Sequence, residues 1–265
     1  MRTALLAFLL IAQSLLASAN QEPPKLGASY LKLSFNEDKN GIYDQILTKA
    51  MQQAGYAPNY STQPLSRALA NFRKGSFACI TPYSKRLNAA SWSENPSNSL
   101  IYSLPFHQTT FVAYYKDETL SQYSWKDNES KNLRVGLPYA TEDFKILKYL
   151  DIHSEKLIKA KNVKMLIEQI HKGRSDVIIY THPMPIYLSE KLSYGELHFN
   201  KEDAVITDDL SIACHDNDIN RAFIERINRQ LLALWKNGYI KSTLKEVYGS
   251  HTPLPAPIKS ALENN

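Results

Sequence analysis

Residues 69–80, LANFRKGSFACI, and residues 166–178, LIEQIHKGRSDVI, are two versions of one junction. In each, apolar residues at helical spacing run into Lys-Gly, and a short apolar run follows. Glycine takes the positive φ at which a helix can stop and the chain reverse. Both stretches therefore read as helix, glycine stop and buried strand. Strands alternating with helices imply βαβ units, that is, mostly parallel sheets with helices on both faces. The junction falls once in each half of the chain, and each half also opens strand, loop, helix. Two similar α/β lobes follow from that, rather than one continuous series.

Working outward, residues 30–35 read as a strand with alternating apolar positions, after a Pro-containing leader over 21–27. A polar loop over 36–40 leads to Gly41, and Ile42, Ile46, Leu47 and Ala50 mark a helix stopped at Gly55. Residues 56–60 form a second short strand, 66–73 a helix and 77–81 a strand ended by Pro82. Residues 92–99 are a loop, and 109–115 a strand rich in aromatic and β-branched residues. A strand over 133–137, helices over 142–150 and 163–171, and strands over 177–180 and 210–214 come next. Asp216 or Asp218 caps the following helix, whose apolar stripe is Ile219, Phe223, Ile227, Leu231 and Leu234. A last helix over 240–248 precedes a Pro-rich stretch and a frayed tail.

The N-terminus combines Arg2, an apolar run over 4–16 and Ala17-Ser18-Ala19. These are the three parts of a secretory signal peptide, with cleavage after Ala19 and release into the periplasm. A membrane anchor needs about 20 apolar residues; this run is shorter and is broken by Gln13 and Ser14. The mature chain is expected to be a soluble monomer. Its formal charge of +5 loses one unit with Arg2, and basic and acidic residues are interspersed. That pattern excludes a nucleic-acid-binding stripe. The two cysteines, Cys79 and Cys214, show neither CxxC nor zinc-ligand spacing. In an oxidising compartment they form a disulfide or stand as two separate buried thiols.

Further motifs recur in a fixed order. Gly41-Ile42-Tyr43-Asp44 opens the first helix, and Pro64-Leu65-Ser66-Arg67-Ala68 precedes Lys74-Gly75. Tyr83-Ser84-Lys85-Arg86 follows the third strand, and Ser103-Leu104-Pro105-Phe106 precedes the crossover strand. Leu133-Arg134-Val135-Gly136 opens the second half, Gly173-Arg174-Ser175-Asp176 closes its helix, and Leu234-Trp235-Lys236-Asn237-Gly238 leads to Tyr248-Gly249. On these stretches the chain resembles the periplasmic solute-binding proteins of the family that includes the polar amino-acid receptors of ABC transporters (solute-binding protein family 3). The resemblance implies a type 2 periplasmic-binding fold: two α/β lobes, each a mixed, mostly parallel sheet flanked by helices, joined by two hinge strands. Lobe 1 would be residues 20–113 plus 207–265, and lobe 2 residues 114–206. It further implies capture of a small polar or anionic solute, amino-acid-like or an organic acid, in the cleft between lobes. The partner would be an inner-membrane ABC permease or, alternatively, a membrane sensor receptor. In that fold the return strand lies beside the third strand, which makes Cys79 and Cys214 neighbours. A bridge closing so long a loop contributes on the order of 4 kcal/mol in the chain-entropy model.

The resemblance assigns the carboxylate-binding role to Arg86, whose forked donors suit both oxygens of a carboxylate. Arg67 is a second anion contact. Phe35, Asn36, Thr81 and Tyr83 are the other lobe 1 candidates; Tyr139, Ala140, Thr141, Tyr180, Thr181 and His182 come from lobe 2. The chain also departs from the family pattern. Residues 75–86 are shorter than in amino-acid receptors and their Ser/Thr run is reduced to Thr81, the acid expected after Gly75 is Ala78, and residues 87–102 are longer. Amino-acid specificity therefore does not carry over. No metal or cofactor motif is present, nor a G-x-S-x-G elbow or H-E-x-x-H pair. His215-Asp216 lacks a neighbouring nucleophile, and His182 is the best lone general base. The reading is a binding protein, with a dehydratase-like enzyme on the same fold as the minor alternative.

Overall fold

Both helix–glycine–strand junctions form. The computed structural model describes residues 22–31, 33–85, 99–127, 132–139, 150, 152, 154–249 and 253–263. The stretch read as a signal peptide, Arg86, Ala140, Thr141, nearly all of the 142–150 stretch expected to be helical and most of the 87–102 segment lie outside the described residues.

The chain runs β1 (Leu26–Ser29), α1 (Ile42–Gln53), β2 (Tyr60–Gln63), α2 (Leu65–Arg73), β3 (Cys79–Ser84) and the short β4 (Leu100–Tyr102). β5 (His107–Tyr115) then crosses to the second lobe, built of β6 (Val135–Pro138), β7 (Leu157–Ala160), α3 (Val163–His171), β8 (Val177–Thr181) and α4 (Met184–Lys191). β9 (His198–His215) crosses back, and α5 (Asp218–Lys236), α6 (Tyr239–Tyr248) and α7 (Ala256–Glu263) complete the first lobe.

The strands lie in the order β2-β1-β3-β9-β5-β8-β6-β7, with β4 also on β9. β1 is parallel to β2 and β3, and β6 to β7 and β8. Between these two parallel sets, β5 and β9 form an antiparallel ribbon. Buried apolar clusters divide the same way. Two draw on residues 26–106 and 210–258, and two on residues 112–206. Each lobe thus owns a core, and β5 and β9 tie the two together.

At each junction the glycine has positive φ, +74° at Gly75 and +66° at Gly173. The paired bonds are those of a Schellman motif. Gly75 N–H donates to Phe72 O and Ser76 N–H to Asn71 O; Gly173 N–H donates to Ile170 O and Arg174 N–H to Gln169 O.

Several elements differ from their sequence reading. The first strand lies four residues earlier, at Leu26–Ser29, and all four residues are buried. A central strand covered on both faces shows no alternation, so period-2 patterning pointed instead to residues 30–35. There the chain turns back on itself, with Leu31 and Phe35 exchanging backbone bonds of 2.8 Å. β3 continues through Pro82, which sits in a register shift between Ile80 and Tyr83, where a missing N–H is tolerated. β9 is far longer than residues 210–214, because its first half is a hinge strand carrying Glu202 and Asp203. The α5 cap is Asn217, whose side chain accepts from Asn220 N–H, while Asp216 pairs with Arg221 at 2.6 Å. Ile219 is 73% exposed and leaves the apolar stripe, while Ile224 is buried. The tail forms α7, docked on the lobe 1 core through the buried Ile258.

Cys79 and Cys214 stand opposite each other on β3 and β9 and are bridged, with S–S 2.01 Å and Cα–Cα 4.0 Å. The same return-strand pairing that sets the sheet order brings the two sulfurs together.

Candidate functional site

Ligands of open α/β sheets bind beyond the carboxyl ends of the parallel strands, where helix N-termini and loops converge. Here each lobe presents such an end. Tyr30 follows β1 and is 42% exposed; Tyr139 follows β6 and is 52% exposed. The two tyrosines thus hold equivalent places, each after the strand that lies between two parallel neighbours in its lobe. Exposed Lys85 follows β3, and in the other lobe Thr181 ends β8 and His182 follows it. Tyr30 was missed in the sequence, and placing the first strand at residues 26–29 would have found it.

Of the candidates read from sequence, Phe35 and Tyr83 lie buried in the lobe 1 core. Phe35 is fully buried and meets Tyr43 and Tyr60 edge-on, with ring centroids at 5.7 and 6.0 Å. Tyr83 packs against Phe72 and Tyr102. Apolar surface on every side explains both. Thr81 is also fully buried, and its Oγ1 has no hydrogen-bond partner among the described residues. Asn36 holds the loop before α1: its N–H donates to Asp44 Oδ2 at 3.0 Å and its side-chain amide to Asn40 Oδ1 at 2.7 Å. Arg67 is exposed on the first turn of α2. Tyr180 is half-buried, and burial with nearby Tyr248 pushes its phenol up to about 12.

Both candidate general bases make hydrogen bonds within the fold. His182 Nδ1 lies 3.0 Å from the Tyr114 hydroxyl, and its backbone N–H donates to Thr110 O, which ties the end of β8 to the hinge. His215 Nε2 donates to Phe72 O at 2.9 Å. Among the described residues, no group of three or more His, Cys, Asp or Glu could hold a metal ion.

At the hinge, β5 and β9 pair Thr109 with Asp208 and Gln108 with Asp209. Ser84 Oγ donates to Asp208, and Gln108 Nε2 donates to Asp209 Oδ1 at 3.0 Å. A second polar cluster lies where β5 begins. The Tyr43 hydroxyl is 2.5 Å from His107 Nδ1 and 2.9 Å from the Tyr248 hydroxyl. Burial pushes His107 down to about 3, so the imidazole is neutral and can accept the Tyr43 proton. A pocket of about 480 Å³ opens beside the hinge, lined by Lys85, Tyr102, Gln108, Asp209, Ser211 and Asn228 among others.

Two lobes, each with a parallel set of strands, joined by an antiparallel pair of hinge strands, define the two-lobed periplasmic-binding-protein fold. Solved structures share it. The GluR0 ligand-binding core in complex with L-glutamate is similar at a TM-score of 0.69 and 15% identity, over 86% of this chain and 98% of that one. A histidine kinase sensor domain with similarity to periplasmic binding proteins gives 0.67 at 13% identity, over 87% and 98%. A periplasmic His/Glu/Gln/Arg/opine family-binding protein from Silicibacter pomeroyi, in complex with lysine, gives 0.64 at 12%, over 88% and 100%. No family model matches the sequence, and no curated protein does.

Proposed function

We propose that this protein is a periplasmic solute-binding protein that captures a small polar or anionic solute between its lobes and presents it to an ABC permease. The observation that carries the reading is the pair of exposed tyrosines, Tyr30 and Tyr139, at equivalent strand ends of two lobes joined by two hinge strands. Aromatic walls give an amphipathic solute contact area at low entropic cost, and closure would bring them together. Lys85, Arg86 and Arg67 would supply cationic donors from lobe 1; Thr181, His182, Ala140 and Thr141 would supply polar and backbone groups from lobe 2. We take the lobes to be residues 20–113 plus 207–265 and residues 114–206, with the signal peptide removed after Ala19. The disulfide fits an oxidising compartment. We read the chain as a monomeric receptor rather than an enzyme. A sensor role is the second reading, favoured by the likeness to a histidine kinase sensor domain.

The test is a thermal-shift screen of the mature chain against amino acids, organic acids, amines and short oligosaccharides. A ligand at about 100 times its Kd adds about 2.7 kcal/mol of stability. Arg86→Ala should abolish the shift given by an anionic ligand and leave the unliganded melting temperature in place. Binding assays with detergent-solubilised permease and with the sensor ectodomain separate the two roles.

A further inference from the structure

We propose that the pocket beside the hinge is a second ligand site, built to take a small organic cation carrying a primary ammonium. It is lined by lobe 1 segments and the hinge strands, and none of Tyr30, Tyr139, Thr181 or His182 contributes to it. Of the residues assigned to the cleft above it shares Lys85 alone, and it is otherwise built from lobe 1 and the hinge. Its volume of about 480 Å³ lies within the range of small-molecule sites.

Polar demand in the pocket is left unmet. Ser211 is 7% exposed, lines the pocket, and its hydroxyl has no hydrogen-bond partner among the described residues. That hydroxyl is open to the pocket and can bond to an occupant. Asp209 has one oxygen bonded to Gln108 and the other without a partner among the described residues. The amide of Gln108 donates through Nε2, which leaves its carbonyl oxygen as a further acceptor.

Charge selects the ligand class. Among the described residues, the charged groups on the lining are Asp208, Asp209 and Lys85. The Lys85 ammonium sits 5.1 Å from the centre of the Tyr102 ring, and Asp208 takes a bond from Ser84. Asp209 forms no ion pair among the described residues: burial, then repulsion from Asp208, hold its carboxyl above the ordinary range, and the Gln108 bond opposes them. Acceptors beside a half-buried carboxylate suit an ammonium, whose three N–H groups could meet Asp209, Gln108 and Ser211 together. Gln108 and Asp209 are paired residues of the two hinge strands. An occupant there would stiffen the ribbon on which the lobes move, so the site could modulate closure.

The experiment is an amide chemical-shift titration of the ¹⁵N-labelled mature protein with butylammonium, using butanol and butyrate as matched neutral and anionic probes. Saturable shifts centred on Gln108, Asp209 and Ser211 with butylammonium alone are expected. Asp209→Asn, which keeps the Gln108 partner, should weaken binding at least tenfold; Ser211→Ala, which removes only a hydroxyl, should weaken it several-fold; Tyr139→Ala should leave it unchanged. The absence of saturable shifts, equal shifts with butanol or butyrate, or unchanged affinity in both hinge variants would overturn the proposal. Loss in Tyr139→Ala would place the amine in the cleft instead and equally overturn it.

Discussion

The two lobes repeat one backbone design and secure it by different chemistry. In lobe 1 the N–H groups of Ala78 and Cys79 both donate to Lys25 O; in lobe 2 those of Asp176 and Val177 both donate to Arg134 O. The helix before each pair ends on the same glycine-centred cap. Beyond that the lobes part. Lobe 1 fixes the start of β3 to the return strand with the Cys79–Cys214 bond. Lobe 2 fixes the start of β8 to the start of β6 with an exposed ion pair, in which Arg134 donates to both oxygens of Asp176 at 2.6 and 2.9 Å. The Arg134 guanidinium in turn holds the Asp176 carboxyl below the usual carboxylate range. A covalent cross-link acts through the unfolded chain, whereas a solvated ion pair adds little, so lobe 1 should be the more firmly held half.

The largest expected effect comes from removing the cross-link. Cys79→Ser with Cys214→Ser, or reduction, should lower stability by on the order of 4 kcal/mol in chemical denaturation. Hydrogen exchange should show the loss concentrated in lobe 1, and equal loosening of both lobes would break the comparison. Next is acid. Folded His107 binds its proton only near pH 3, while the unfolded chain binds it near 6.5. The unfolded state therefore carries more protons between those values, and stability falls as the pH drops, by about 3 kcal/mol at pH 4 from this group alone. Denaturation at pH 7 and pH 4 measures it, and His107→Gln should flatten the slope. Smaller again are Gly75→Ala and Gly173→Ala. Neither methyl group would meet an atom within 4 Å, so only the positive φ penalises them. Each should cost about 1 kcal/mol, and a large inequality would show that the two caps are not equivalent. Asp176→Ala should give the smallest shift of the set, and high salt should erase it.

Repetition explains what the sequence disclosed. Residues 74–80 and 172–178 announced their helices, stops and strands because glycine stops and apolar spacing are local signals. The hinge was harder to read. The first half of β9 carries Glu202 and Asp203, and a ribbon strand with polar side chains has no apolar signature. β1 hid for the opposite reason, since Leu26, Gly27, Ala28 and Ser29 are all buried and show no alternation. The four-residue offset changes which residue ends that strand: Phe35 is buried, while Tyr30 is the exposed residue after β1. The hinge pocket was invisible in sequence, because Gln108, Asp209 and Asn228 meet only through strand pairing and the return of α5.

The central claim is that the lobes close on a solute held between Tyr30 and Tyr139. The most direct test is thermal melting of wild type, Tyr30→Ala and Tyr139→Ala with and without a compound found in the solute screen. The account predicts a ligand-dependent rise in melting temperature for wild type that each variant greatly reduces, with little change in the unliganded proteins because both side chains are exposed. A full shift in both variants, or no shift in wild type with any compound class, would contradict it.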